Sequence, residues 1–157
     1  MPLDTLDDLF ARLREAATPA EIEALQNGIW QLWLTTGNQL LDKHLEAGMR
    51  AMAAGDYNRA IADFTVLTEE LPAYAEGWNK RATAYYLRGE YRASLLDIQE
   101  TLRREPRHFG ALSGRANMLQ ILGDEAGALR VLLRLEQLCR HWPGLQAQLH
   151  DLRGRLG

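Results

Sequence analysis

A three-residue phrase returns every 34 residues along this chain: Gly55-Asp56-Tyr57, Gly89-Glu90-Tyr91 and Gly123-Asp124-Glu125. A fixed period of this length marks a stack of supersecondary units, each burying its apolar face on its neighbours. Written in rows of the period, other positions fall into columns. Ala60 stands over Ser94 and Ala128, Phe64 over Ile98 and Leu132, Leu67 over Thr101 and Leu135, and Gly48 over Ala82 and Ala116. Small residues stay small and large apolar residues mostly stay large. Pro72 and Pro106 share a column, whereas the third row delays its proline to Pro143.

Each row predicts two helices. Trp78, Ala82, Tyr85 and Tyr86 recur at three- and four-residue intervals, as do Leu95, Ile98 and Leu102 beyond Gly89, so each segment carries an apolar stripe. Glycine accepts the left-handed conformation that ends the first helix. The acid after it suits the positive N-terminal end of the second. Proline then stops the second helix by restricting the residue before it and breaking the hydrogen-bond ladder.

The pattern resembles the tetratricopeptide repeat. The middle row fits best, with Trp78, Ala82, Tyr85, Gly89, Tyr91, Ser94, Ile98 and Pro106 at the family's positions and Ser94 and Thr101 replacing the usual alanines. His44 and Leu112 stand where Trp78 does, so the outer rows are less typical. The wording Ala75-Glu76-Gly77-Trp78-Asn79-Lys80-Arg81-Ala82 is also similar to a group of small bacterial repeat proteins with no assigned function. The resemblance implies an all-α, right-handed superhelical stack of antiparallel helix pairs. On one domain spanning 1–157, it places repeats at 41–74, 75–108 and 109–142, about nine helices in all with the flanking caps.

Both flanks suit the ends of such a stack. Leu3, Leu6, Leu9, Phe10 and Leu13 form a helical stripe behind Asp4, Asp7 and Asp8, and Thr18-Pro19-Ala20-Glu21 predicts a second start with a capping box and proline at the first helical position. Trp30 and Trp33 stand one period before Phe64 and Leu67, so 1–37 reads as a capping pair worn down from a repeat. After Pro143, residues 143–157 predict a last helix with Leu145, Leu149, Leu152 and Leu156 on one face.

The family presents the first helix of each repeat along an inner, concave surface. Projected onto this chain, the resemblance puts Asp42, Leu45, Met49, Met52, Glu76, Asn79, Lys80, Thr83, Tyr86, Ser113, Asn117 and Gln120 there. These residue types suit peptide binding. Asn79 and Asn117 offer donors and acceptors to an extended backbone, Lys80 offers a charge to a carboxylate, and Met49, Met52 and Tyr86 offer adaptable apolar contact. Some members hold chaperone C-termini with a clamp of lysines, arginine and asparagines. The matching positions here are Leu45, Met49, Lys80, Gly110 and Gly114, which retain only the lysine, so that specificity is not expected. Gly110 and Gly114 leave a shallow spot where a ligand backbone can approach.

Other chemistries find little support. His44, His108, His141 and His150 are too widely spaced for a local metal motif, and none pairs with the single Cys139 at ligand spacing. His44 takes a core-like position and His108 and His141 fall at turns between rows. No serine has a nucleophile setting and the glycines form no phosphate loop. The expectation is no metal, no cofactor and no catalysis. Arg103, Arg104 and Arg107 with Arg130, Arg134 and Arg140 suggest a basic edge, but no aromatic platforms alternate with them, which disfavours nucleic acid.

Net charge is −3 over 157 residues, unevenly spread: residues 1–78 carry 13 acids and 5 bases, residues 79–157 carry 8 acids and 13 bases. The resemblance implies that the chain binds a protein or peptide. The alternative is self-assembly through its oppositely charged ends or the Trp30 and Trp33 region. No apolar run reaches the roughly 18 residues of a membrane span. The polar opening Met1-Pro2-Leu3-Asp4 points to the cytoplasm, with the periplasm open if an export signal has been removed.

Overall fold

The structure is a computed structural model that describes residues 4–157. Among the described residues there are nine α-helices and no strands: α1 (Leu6–Glu15), α2 (Pro19–Trp33), α3 (Gln39–Ala53), α4 (Tyr57–Glu70), α5 (Ala75–Leu87), α6 (Tyr91–Arg104), α7 (Phe109–Ile121), α8 (Glu125–Leu138) and α9 (Leu145–Leu156). They divide into two compact units, Leu34–Gly114 and Met1–Trp33 with Arg115–Gly157, the division falling within α7.

The recurring turn accounts for the period. After α3, Gly55 takes φ +80°, its N–H donates to the Met52 carbonyl and the Asp56 N–H donates to the Ala51 carbonyl. This paired closure satisfies two carbonyls that the helix end leaves without partners. The same two bonds recur from Gly89 and Glu90 to Tyr86 and Tyr85, and from Gly123 and Asp124 to Gln120 and Leu119. The acid then caps the next helix in two of the three turns: Asp56 accepts from the Arg59 N–H and Asp124 from the Gly127 N–H.

In the unit Leu34–Gly114, α4 packs between α3 and α5, and α6 packs on α5. Its core gathers Leu45, Ala51, Ala60, Phe64, Leu67 and Ala84, with Leu34, Leu41, Met49, Met52 and Ile61 packed against them. Phe64 is fully buried, an amount of apolar surface worth roughly 1.5–3 kcal/mol. Gly48 makes room for it. A methyl group at Gly48 would lie 2.4 Å from the Phe64 ring, which explains why the smallest residue of its column stands in this row.

In the other unit, α1 packs on α2, α8 on α9, and α1 also touches α8. The sequence places the N-terminal pair beside the first repeat; its apolar stripe of Leu9, Phe10 and Leu13 is buried here in a unit that includes the second helix of the last repeat. Leu3, expected on that stripe, lies outside the described residues. Thr5 and Asp8 form a capping box at the start of α1, the Asp8 N–H donating to Thr5 Oγ1 at 3.1 Å and the Thr5 N–H to the Asp8 carboxylate at 3.0 Å. At α2, the Glu21 N–H donates to Thr18 Oγ1, while the Glu21 carboxylate accepts from Ala17 rather than from Thr18 itself. The last helix begins at Leu145, after Gly144 in the left-handed conformation. Leu145, Leu149 and Leu152 are buried, whereas Leu156 stays half exposed.

Candidate functional site

The residues projected onto the inner face separate into three groups by their surroundings. Met49 and Met52 on α3, and Thr83 and Tyr86 on α5, are half-buried. They sit on two helices in contact, since α3 touches α5 as well as α4. Met49 and Met52 rest on the core, and the Tyr86 ring tilts against Tyr91 at 5.5 Å between centroids. The Thr83 hydroxyl donates to the Asn79 carbonyl one turn earlier, so it is satisfied within its own helix. These four supply an apolar, partly exposed strip with little polar decoration.

A second group is buried. Leu45 belongs to the core, and Glu76 and Asn79 are nearly inaccessible. Glu76 Oε1 accepts from Asn79 Nδ2 at 3.0 Å and lies 3.7 Å from Lys80 Nζ; Glu76 Oε2 lies 2.6 Å from His108 Nε2. His108, which the sequence places merely at a turn, is fully buried, and its Nδ1 accepts the Ala111 N–H at 3.0 Å. It therefore caps α7 with one ring nitrogen and binds α5 with the other. Since Nδ1 accepts, the ring proton is on Nε2 and donates to Glu76. A buried carboxylate without such partners would cost several kcal/mol, so the chain's own groups occupy Glu76, Asn79 and Lys80 beneath the strip. Among the described residues no buried side-chain polar atom lacks a partner.

The third group lies on α7. Ser113 is exposed in the unit Leu34–Gly114; Asn117, exposed, and Gln120, half-buried, belong to the other unit. Gly110 is half-buried, and a methyl group at Gly114 would meet Ile98 at an ordinary 3.6 Å. Asp42, in the same column as Glu76, is held by Thr36, whose backbone N–H and hydroxyl donate to its carboxylate at 2.9 and 2.7 Å. Those two bonds keep the Asp42 carboxyl below the usual aspartate range.

The opposite side of α5 is polar and already paired. Arg81 grips Asp97 on α6 with two bonds of 2.7 and 2.8 Å and donates to the Thr65 and Thr68 hydroxyls of α4. Its guanidinium and that of Arg104 both lie over the Trp78 ring, at 5.3 and 4.6 Å from the centroid. His44 links α3 to α4 through Asp63 at 3.0 Å and is partly exposed, so it is an interhelical residue outside the core. Asp63 and Asp97 share a column, and each fastens the second helix of its row to the first. The basic edge suggested by Arg103, Arg104 and Arg107 is neutralised there, because the first two pair with Glu100 and the third with Glu105. Trp33 packs at 5.9 Å from Phe10 and edge-on to Trp30, so these aromatics engage each other within the chain. Among the described residues no cluster of metal ligands occurs and no helix is long and apolar enough to cross a membrane.

No protein-family model matches the chain. A TPR repeat-containing protein of Rhizobium etli is 36% identical to it over 132 residues, 82% of this chain, and the chain spans 63% of that relative's length. Three solved structures share its helix arrangement. The TPR domain of Sgt2 from Aspergillus fumigatus aligns with a TM-score of 0.66 at 21% identity, over 76% of this chain and 80% of that domain. The TPR domain of Arabidopsis OM64 gives 0.68 at 16% identity, over 73% and 95%. The TPR2B domain of yeast Sti1, in its pHsp70 complex, gives 0.67 at 14% identity, over 75% and 99%.

Proposed function

This chain has the all-α fold of tetratricopeptide-repeat proteins, and from that premise we propose that it is a non-enzymatic protein-interaction module that holds a peptide segment or partner helix against the first helices of its repeats. The observation that carries the reading is the contrast on α3 and α5. Every buried polar group beside the strip is spent inside the chain, while Met49, Met52, Thr83 and Tyr86 stay partly open. Binding there rests on apolar contact with adaptable methionines and one aromatic ring, and Lys80, drawn toward Glu76, tunes the edge of the strip. The pHsp70 complex of the Sti1 domain supports a peptide as the class of guest. The clamp positions Leu45, Met49, Gly110 and Gly114 argue for a different peptide chemistry, with apolar anchors in place of a bound carboxylate. Ser113 extends the proposed contact onto the first turns of α7.

Panning a random peptide library against the full chain tests this. Selected peptides should be rich in apolar side chains, compete with one another, and lose about tenfold or more in affinity for the Tyr86→Ala and Met52→Ala variants. Peptides that bind both variants as tightly as the parent chain would place the binding face elsewhere.

A further inference from the structure

On the far side of α3 from this strip, Ala47, Arg50, Ala51 and Ala54 line a cavity of about 280 Å³ together with Asp56 and Arg59 of the turn and α4. At 100° per residue these α3 positions face about opposite to Met49 and Met52, so the cavity is a separate feature. Three of its lining residues are alanines. Two more of its lining residues are arginines, and neither guanidinium has an ion-pair partner among the described residues.

The two charges are unusual for their place in the chain. Residues 1–78 hold only five bases against 13 acids, and two of the five face this one cavity. Arg50 is in the last turn of α3, where the helix end favours a cation, but Arg59 is in the first turn of α4, where the helix end disfavours one. An anion between them would relieve that conflict and receive two charge-assisted donors. Asp56 is the one acid at the cavity, and its Oδ1 is occupied by the Arg59 N–H at 3.2 Å. Its charge, and the acidic half around it, select against a polyanion. The volume lies just below the roughly 300–1,000 Å³ typical of small-molecule sites, which suits a side chain better than a whole cofactor.

We propose that the cavity between Arg50 and Arg59 binds a single carboxylate of a partner peptide, an acidic side chain or a free C-terminus. The site is independent of the apolar strip and stands whether or not that strip binds a guest. Titrations of the ¹⁵N-labelled full chain with three capped tripeptides test it: Ala-Glu-Ala amide, Ala-Gln-Ala amide, and Ala-Ala-Ala with a free C-terminus, each N-acetylated. The expected result is a saturable shift of the Gly55, Asp56 and Arg59 amides with the glutamate peptide, the free-terminus peptide or both, and none with the glutamine peptide. Which of the two acts identifies the source of the carboxylate. Arg50→Gln and Arg59→Gln, both at exposed positions, should each weaken binding about tenfold, while Arg92→Gln, exposed and outside the cavity, should leave it unchanged. Equal shifts with the glutamine peptide, no saturation with either carboxylate, or undiminished binding in both arginine variants would overturn the assignment.

Discussion

His108 Nε2 lies 2.6 Å from Glu76 Oε2, and both side chains are almost wholly withdrawn from solvent. The pair joins the start of α7 to the first turn of α5 across one repeat, and the Ala111 N–H on Nδ1 fixes which nitrogen carries the proton. Removing the imidazole leaves a buried carboxylate short of a donor and α7 short of a cap. His108→Ala should therefore cost about 3–5 kcal/mol of unfolding free energy in urea. Glu76→Gln, which keeps an acceptor of the same shape, should cost less. In the double variant the two losses should fall short of their sum by about 1 kcal/mol or more. Additive losses would mean that the contact contributes nothing to holding the repeats together.

Arg81 closes a second bridge, between Thr65 and Thr68 on α4 and Asp97 on α6. The hydrogen bonds to Asp97 push the guanidinium pKa up, so the charge is permanent across any working pH. Lysine cannot reproduce the fork that meets both Asp97 oxygens. Arg81→Lys should destabilise by about 1–3 kcal/mol and Arg81→Ala by about 3–5 kcal/mol, because Asp97 is then buried without its counter-charge. Arg81→Ala combined with Asp97→Ala should recover part of the loss. Thermal unfolding of the four proteins reads this directly.

The helix pairs were legible in the sequence because their signals are local. Glycine followed by an acid specifies a turn within five residues, and an apolar stripe specifies a face within two helical turns. The buried network was not legible, because Glu76 and His108 stand 32 residues apart and hydropathy marks both as surface. A signal was present all the same. Asp42 precedes Tyr74 by the same interval, and burial first, then the charges of Glu76 and Asp42, raise the Tyr74 phenol pKa. An acid and a ring recurring one repeat apart is a long-range pairing written in columns. The resemblance groups Glu76 and Asn79 with Met49 and Tyr86 on one face, but pairing, which the repeat pattern does not encode, draws the first two inside. Arg50 and Arg59 carry no motif, and only the fold brings them to one cavity.

Gly48 and Phe64 set the spacing between α3 and α4. A methyl group at Gly48 would meet three ring atoms at 2.4–2.8 Å, and the ring is fully buried with no open side to turn into. Gly48→Ala should cost about 1–3 kcal/mol despite alanine's better helix propensity. Phe64→Leu in the same chain should reverse part of that loss. If Gly48→Ala stabilises the protein, helix propensity outweighs packing at this contact and the close approach is not a constraint.

Acid should erase the difference between Asp42 and its neutral counterpart. The Thr36 backbone N–H and then its hydroxyl hold the Asp42 carboxyl below the ordinary value of 3.8, so protons bind this group more readily in the unfolded chain than in the folded one. Its contribution is therefore complete above that value and is lost as pH falls through the lowered, folded value. Asp42→Asn keeps the oxygen acceptor for Thr36 and removes only the charge. Urea midpoints of the two proteins should differ by a constant amount, in favour of Asp42, from neutral pH down to the ordinary aspartate value, and should converge below it. Asp8 and Glu100, also lowered by their hydrogen bonds, give both proteins the same acid sensitivity and cancel in the difference. A gap that persists unchanged into acid, or one that opens as pH falls, would show that the Thr36 contacts recognise the side chain's shape and not its charge.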